Sequence, residues 1–190
     1  MLGKQLSARA GVCLWLSVLT LSGCAATPTV SDDSQLSSPG AVVQAGSGTL
    51  LEPVALYGLP ELSIGAESSA DQGEFITVCD RKFRQLDQDK PLVIYLDGDL
   101  QMLRWYQEQT SSQRLCHRFA ASMSVIRGVA DAQRAILRLY FRNGEQIEQR
   151  ISGTMSDYLS RPKMLGPQRG FSRFIEAVVD VTPAEMVVVE

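Results

Sequence analysis

Read for its alternation of apolar and polar positions, the chain opens on a run that is apolar from Ala10 to Leu21 except at Ser17 and Thr20. Lys4 and Arg9 precede it, and no acid does. A short apolar run behind a basic end has the proportions of a secretory signal. A bilayer-spanning helix would need about 20 apolar residues. Residues 24–50 then show no sustained period and no aromatic residue, with Ser, Thr, Gly, Pro and Ala dominating. Such a stretch cannot bury enough surface to offset its ordering entropy, which predicts a flexible tether of about 25 to 30 Å. Between 51 and 73, Leu51, Val54, Leu56, Tyr57, Leu59, Leu62 and Ile64 supply apolar surface. Pro53 and Pro60 deny that stretch a regular helix, so it reads as a semi-ordered segment docked on a domain, with a partner-binding segment as the alternative.

The globular domain is expected over 74–182. Phe75, Val78, Cys79, Phe83 and Leu86 recur at helical spacing and predict a helix over 74–88. The run Pro91-Leu92-Val93-Ile94-Tyr95-Leu96 reads as a buried strand. Asp99 can cap a helix carrying Leu100, Leu103 and Tyr106, and Ser112 another carrying Leu115, Phe119 and Met123. Residues 122–129 are ambiguous and lean towards strand. Phe171, Phe174, Ile175, Val178 and Val179 mark a closing helix, after a loop over 153–169. Residues 183–190 form a tail ending Glu185-Met186-Val187-Val188-Val189-Glu190.

The sharpest local signal is Asn143-Gly144 between two alternating runs, 135–142 and 145–152. That dipeptide suits the two positive-φ positions of a type I′ turn. A two-residue turn there would pair Arg142 with Glu145, Tyr140 with Ile147, Arg138 with Gln149 and Ile136 with Ile151. The second strand carries Gln146, Glu148 and Arg150 on one face and reads as a charged edge. The rival is a helix over 131–142 with Arg134, Arg138 and Arg142 in a row and Asn143-Gly144 as its C-cap.

Leu21-Ser22-Gly23-Cys24 resembles the lipobox of bacterial lipoproteins. The resemblance covers the first 24 residues. It implies a signal peptide over 1–23, a diacylglyceryl group on the Cys24 sulfur, and Cys24 as the first mature residue, anchored to membrane lipid. Ala25 in place of aspartate implies sorting to the outer membrane, with the domain facing the periplasm. Two or three acyl chains make a stable anchor where one does not. Loss of Lys4 and Arg9 would leave sixteen basic against twenty-one acidic residues, a net charge of −5. That charge argues against nucleic acid as a partner. Cys13 would leave with the signal, so Cys79 and Cys116 remain as an even pair in an oxidising compartment. A disulfide is the expected state and two buried thiols the alternative.

The expected order of elements gives an α+β class: a small sheet with helices and a β-hairpin in the C-terminal half. That order resembles the thioredoxin fold, although a different α+β sandwich fits as well. The redox motif does not carry over, because Asp97-Gly98-Asp99 stands where that family has Cys-x-x-Cys.

Candidate chemistry is sparse. Asp97 and Asp99 follow a buried strand and could bind a ligand or serve a hydrolase, against a plainer role as turn and cap residues. His117 is the sole histidine and lacks neighbouring metal ligands, so a surface or half-buried ring is expected, with no metal or cofactor. Trp105-Tyr106 could form a contact patch, although Tyr106 is expected in the core with Trp105 partly over it. Arg134, Arg138 and Arg142 could face an acidic partner, and the Met186–Val189 tail could add a strand to a partner's sheet. The leading expectation is a non-enzymatic accessory or assembly factor docking on an envelope protein. A thioredoxin-like chaperone or thiol protein, and a hydrolase using Asp97 and Asp99, are the alternatives.

Overall fold

A computed structural model of the chain describes residues 39–46, 48–155 and 163–181. The expected signal peptide, Cys24, residues 25–38 of the expected tether and the 183–190 tail lie outside the described residues, whereas residues 42–45 and 48–50, expected in that tether, are strand. In chain order the elements are β1 (Val42–Ala45), β2 (Gly48–Leu56), β3 (Leu59–Ser69), β4 (Gly73–Asp80), β5 (Leu92–Leu96), β6 (Asp99–Leu103), β7 (Trp105–Thr110) and β8 (Leu115–Ala121). They continue as α1 (Met123–Asp131), β9 (Ala135–Tyr140), β10 (Gln146–Arg150), β11 (Thr154–Met155), β12 (Lys163–Met164) and α2 (Gly166–Val181).

The strands form a six-stranded sheet, β1-β2-β3-β4-β8-β7, and a four-stranded sheet, β10-β9-β5-β6, with β11 and β12 as a small pair. Each of these neighbouring strand pairs is antiparallel. The class is α+β, as the sequence implied. The strand–helix–strand order of the thioredoxin resemblance does not follow β5, which pairs with β6 and β9. Arg104 alone joins the sheets between β6 and β7, and its carbonyl accepts from the Ala120 N–H at 3.0 Å. The inner faces of both sheets and the two helices share one apolar cluster. It holds Leu56, Ile64, Ile76 and Phe119 from the larger sheet, Ile94 and Leu137 from the smaller, Ile126 from α1 and Phe174 from α2.

Residues 51–73 are part of this core rather than a segment docked on it. Leu51, Leu56, Leu62 and Ile64 are fully buried in β2 and β3. Pro53 is tolerated because the β2–β3 register shifts between Leu51 and Val54, a bulge where no ladder N–H is required. Gly65 accepts that bulge: a Cβ there would come within 2.5 Å of the Leu51 carbonyl.

The expected helix over 74–88 is β4 followed by a loop. Ile76 and Val78 face the core while Phe75 and Cys79 face the other way. All four are buried, so a strand covered on both faces mimics helical spacing. The helices expected after Asp99 and Ser112 are β6, β7 and β8. Leu115 and Phe119 share a face in a strand as well as in a helix, because a separation of four fits both periods. Residues 123–131 form α1 instead of a strand. The Ser122 hydroxyl caps it by accepting from the Val125 N–H, and Val125, Ile126, Val129 and Ala130 are its buried side.

The β9–β10 hairpin is present with β10 at the sheet edge, but its register differs by one from the expectation. The Phe141 N–H donates to the Glu145 carbonyl, leaving a three-residue loop with Gly144 at φ +84°. Tyr140 therefore opposes Gln146 and Arg138 opposes Glu148. Leu137, Leu139 and Phe141 turn into the core.

The closing helix is α2, with Phe171 and Phe174 buried and Val179 exposed. Gln168 ties its first turn to the end of α1. Its Oε1 accepts from the Gly153 N–H at 2.7 Å, and its Nε2 donates to the carbonyls of Ala130 and Ala132 at 2.9 and 3.0 Å.

Candidate functional site

The outer face of the four-stranded sheet carries an open groove, and its rim is set by a tight turn. Leu96 opposes Asp99, so Asp97 and Gly98 are the two turn residues, at φ +51° and +105°. Two positive-φ residues are what a type I′ turn requires, and Asp-Gly supplies them. The Asp97 carboxylate reaches across to the chain entering β9. Its Oδ1 accepts from the Arg134 N–H at 2.7 Å and its Oδ2 from the Gln133 N–H at 3.1 Å. Both carboxylate oxygens are thus engaged by backbone donors.

Below this rim lies an open groove of about 810 Å³, lined by Tyr95 of β5, Arg134, Ile136 and Arg138 on the β9 side, and Glu148 of β10. Arg138 donates from Nε and Nη2 to Glu148 Oε2 at 3.0 and 2.7 Å. Its guanidinium carbon stands 5.0 Å from the Tyr95 ring centroid. Hydrogen bonding to Glu148, and next to Tyr140, raises its proton affinity above the ordinary arginine value. Arg134 is exposed and makes no ion pair among the described residues. Leu100 and Met102 of β6 continue the same face beside Tyr95 and Val93, and are 47% and 62% exposed. Two apolar side chains on an edge strand extend the groove into an apolar strip.

Asp99 stands exposed at the start of β6 and is not part of the groove lining. Asp97 lines the groove with its carboxylate already engaged. Of the arginine row, Arg134 and Arg138 share the groove, while Arg142 donates to Gln85 Oε1 at 3.0 Å. The sequence reading missed Tyr95, Leu100, Met102 and Ile136 as surface residues. Asp97-Gly98 between alternating apolar residues was the signal for β6, and reading Asp99 as a helix cap concealed it.

On the outer face of the larger sheet, Cys79 and Cys116 sit directly opposite each other on β4 and β8 and form a disulfide, with Cα atoms 4.0 Å apart. It contributes to a second concavity of about 460 Å³. Beside it Arg118 is 4% exposed. It donates to Glu67, Gln72 and Gln107 at 2.9, 3.3 and 3.2 Å. Its guanidinium lies 4.1 Å over the Phe75 ring, and Tyr106 packs on Phe75 with centroids 4.7 Å apart. The Trp105–Tyr106 expectation is reversed: Trp105 packs against the core, whereas Tyr106 is 49% exposed. The β7–β8 register shift between Trp105 and Gln107 is what places them differently.

His117 is only 1% exposed, contrary to the surface or half-buried ring expected, because β8 turns it inward with Leu115 and Phe119. Neither ring nitrogen has a hydrogen-bond partner among the described residues; Nδ1 lies 3.7 Å from a Glu108 carboxylate oxygen. Burial holds the ring's pKa below the ordinary histidine value, against the opposing pull of Glu108 and Asp80. Among the described residues, no three His, Cys, Asp or Glu side chains gather in a way that could hold a metal ion. No described helix is long and apolar enough to cross a membrane.

No protein-family model matches the chain, and comparison with curated proteins and with solved structures finds no significant similarity.

Proposed function

We propose that this protein is an envelope lipoprotein, anchored to the outer membrane through Cys24, whose domain is a non-enzymatic docking module for an envelope partner. The observation that carries the docking reading is the open outer face of the four-stranded sheet. There Tyr95, Ile136, Leu100 and Met102 lie beside Arg138 and Arg134, the latter without an ion pair among the described residues. Tyr, Met and Arg are enriched at protein interfaces, and a rigid aromatic flanked by forked cations suits contact with a peptide segment. Glu148 pairs with Arg138 and the Asp97 carboxylate is held by backbone donors, so Arg134 is the groove side chain without an ion pair among the described residues. The favoured partner segment therefore brings a carboxylate to Arg134 and an apolar side chain to Tyr95 and Ile136. The Cys24 anchor and the stretch between it and β1 would hold that face near the membrane while letting it turn towards its partner.

The test is crosslinking in intact cells, followed by purification in detergent and mass spectrometry. Wild type is compared with Tyr95→Ala, Arg134→Glu and Cys24→Ser. The expected result is one envelope protein recovered in stoichiometric amount, lost with Tyr95→Ala and Arg134→Glu though both variants stay folded, and reduced with Cys24→Ser. A partner retained by both groove variants would reject this face as the docking surface. A Cys24→Ser protein that is processed and fractionates like wild type would reject the anchor.

A further inference from the structure

The outer edge of β6, left open by the described residues, is self-complementary, and we infer that it pairs with β6 of a second copy of this chain, joining two four-stranded sheets into one of eight strands. This goes beyond the docking reading and uses the edge of β6, which shares Leu100 and Met102 with the docking face but none of the groove residues Tyr95, Arg134 and Arg138.

The argument starts from the direction of the β6 backbone groups. The two-residue turn makes Leu96 and Asp99 a hydrogen-bonded pair, and bonded and non-bonded pairs alternate along an antiparallel ladder. Asp99, Gln101 and Leu103 therefore bond inward to β5. The N–H and C=O groups of Leu100 and Met102 point out to the open edge. Among the described residues no strand but β5 pairs with β6.

An antiparallel twofold about Gln101 sets Leu100 opposite Met102 of the second copy, twice. Those are the residues with outward backbone groups, so the register closes four backbone hydrogen bonds and stacks the exposed apolar side chains in two cross-strand pairs. A register one residue away would set outer-face against inner-face side chains. A register centred on Leu100 or on Met102 would match only that residue with itself.

Charge selects the same orientation. Asp99 opens β6 and Arg104 follows its end; both are exposed, and neither has an ion pair among the described residues. Antiparallel pairing brings Arg104 beside the Gly98–Asp99 end of the other copy at both ends, whereas parallel pairing would set like by like. Exposed edges usually carry charge or proline to block such pairing, and the stretch from Leu100 to Leu103 carries neither. The contact is isologous and closes at two copies.

The test uses the full-length chain in detergent and in membranes. Gln101→Cys would bring two thiols to a non-bonded pair with Cα atoms about 4.5 Å apart, within disulfide range. Gln146→Cys on the exposed edge strand β10 is the control. The expected result is a dimer by light scattering, an intermolecular disulfide with Gln101→Cys alone, and loss of the dimer in Met102→Lys. Met102 is 62% exposed, so that variant is expected to keep its fold, checked by its melting curve. A wild-type monomer across the accessible concentration range would overturn the inference. So would equal crosslinking from Gln146→Cys, or a Gln101→Cys adduct with the mass of a different protein. The groove variants Tyr95→Ala and Arg134→Glu should leave the dimer intact, so failure of either proposal is separable from failure of the other.

Discussion

Asp97 and Arg134 are joined twice. The Asp97 carboxylate accepts from the Arg134 N–H at 2.7 Å, and the Asp97 N–H donates to the Arg134 carbonyl at 3.0 Å. The turn after β5 is thereby clamped to the chain that enters β9, so the groove rim has a fixed shape.

Two substitutions separate the parts of this clamp. Asp97→Ala removes both side-chain acceptors and places an alanine at φ +51°, and should lower unfolding free energy by about 1 to 3 kcal/mol. Asp97→Asn keeps an acceptor for Arg134 and tolerates the left-handed backbone, and should cost less than half as much. Urea denaturation of the two variants beside wild type measures the difference.

His117 gives the protein an acid sensitivity of predictable sign. Because burial lowers its pKa in the folded chain, the unfolded chain takes up the proton first, and acid favours unfolding. The effect should be absent well above the ordinary value of about 6.5 and grow as pH falls through it. Its slope reaches at most about 1.4 kcal/mol per pH unit until the folded ring itself protonates. Melting temperatures measured from pH 7.5 to 5 should fall more steeply for wild type than for His117→Leu. Carboxylate contributions common to both cancel in that difference.

Reduction of the Cys79–Cys116 bond should destabilise the domain without altering the sheet order. The two cysteines are 37 residues apart, and chain-entropy reasoning assigns such a closure about 4 kcal/mol. Denaturation with and without reductant, compared with Cys79→Ala/Cys116→Ala, should give matching losses. A reduced protein as stable as the oxidised one would show that β4 and β8 hold each other unaided.

Arg118 should not be replaceable by lysine. Its forked guanidinium serves Glu67, Gln72 and Gln107 while lying flat on Phe75, and an ammonium group cannot do both. Arg118→Lys is expected to lose about 1 to 2 kcal/mol, and Arg118→Ala more, with Tyr106 becoming more mobile in each. Denaturation together with tyrosine fluorescence reports both effects.

How much of this was legible depended on whether local spacing distinguished a strand from a helix. β5 was readable because its apolar run is short and opened by Pro91, and α2 because Phe171, Phe174, Ile175 and Val178 follow one helical stripe. β4 and β8 were not. Phe75 is buried by Arg118 and Tyr106, which are distant in sequence, and residues four apart satisfy both periods. The hairpin was legible and its register was not: Asn143-Gly144 suggests a two-residue turn, whereas the chain closes Phe141 on Glu145. That single-residue difference set Glu148 rather than Gln149 opposite Arg138 and so hid the ion pair that lines the groove. The disulfide was expected from cysteine parity and from the oxidising compartment that the lipobox resemblance implies. The groove is assembled from β5, β9 and β10 and could not be read from any one segment.

The interleaving of the two sheets constrains the order in which the domain can form. β5 and β6 of the smaller sheet lie within the connection between β4 and β8 of the larger, and β9 and β10 come after both. A chain emerging from its N-terminal end has every strand of the larger sheet by Ala121, but lacks half of the smaller sheet until Arg150. Throughout that interval the apolar side that will receive Leu137, Leu139 and Phe141 has no cover. Neither sheet is a self-sufficient folding unit, so the domain should unfold in a single cooperative step, and the nascent chain is most exposed to misassociation just before its last hairpin arrives.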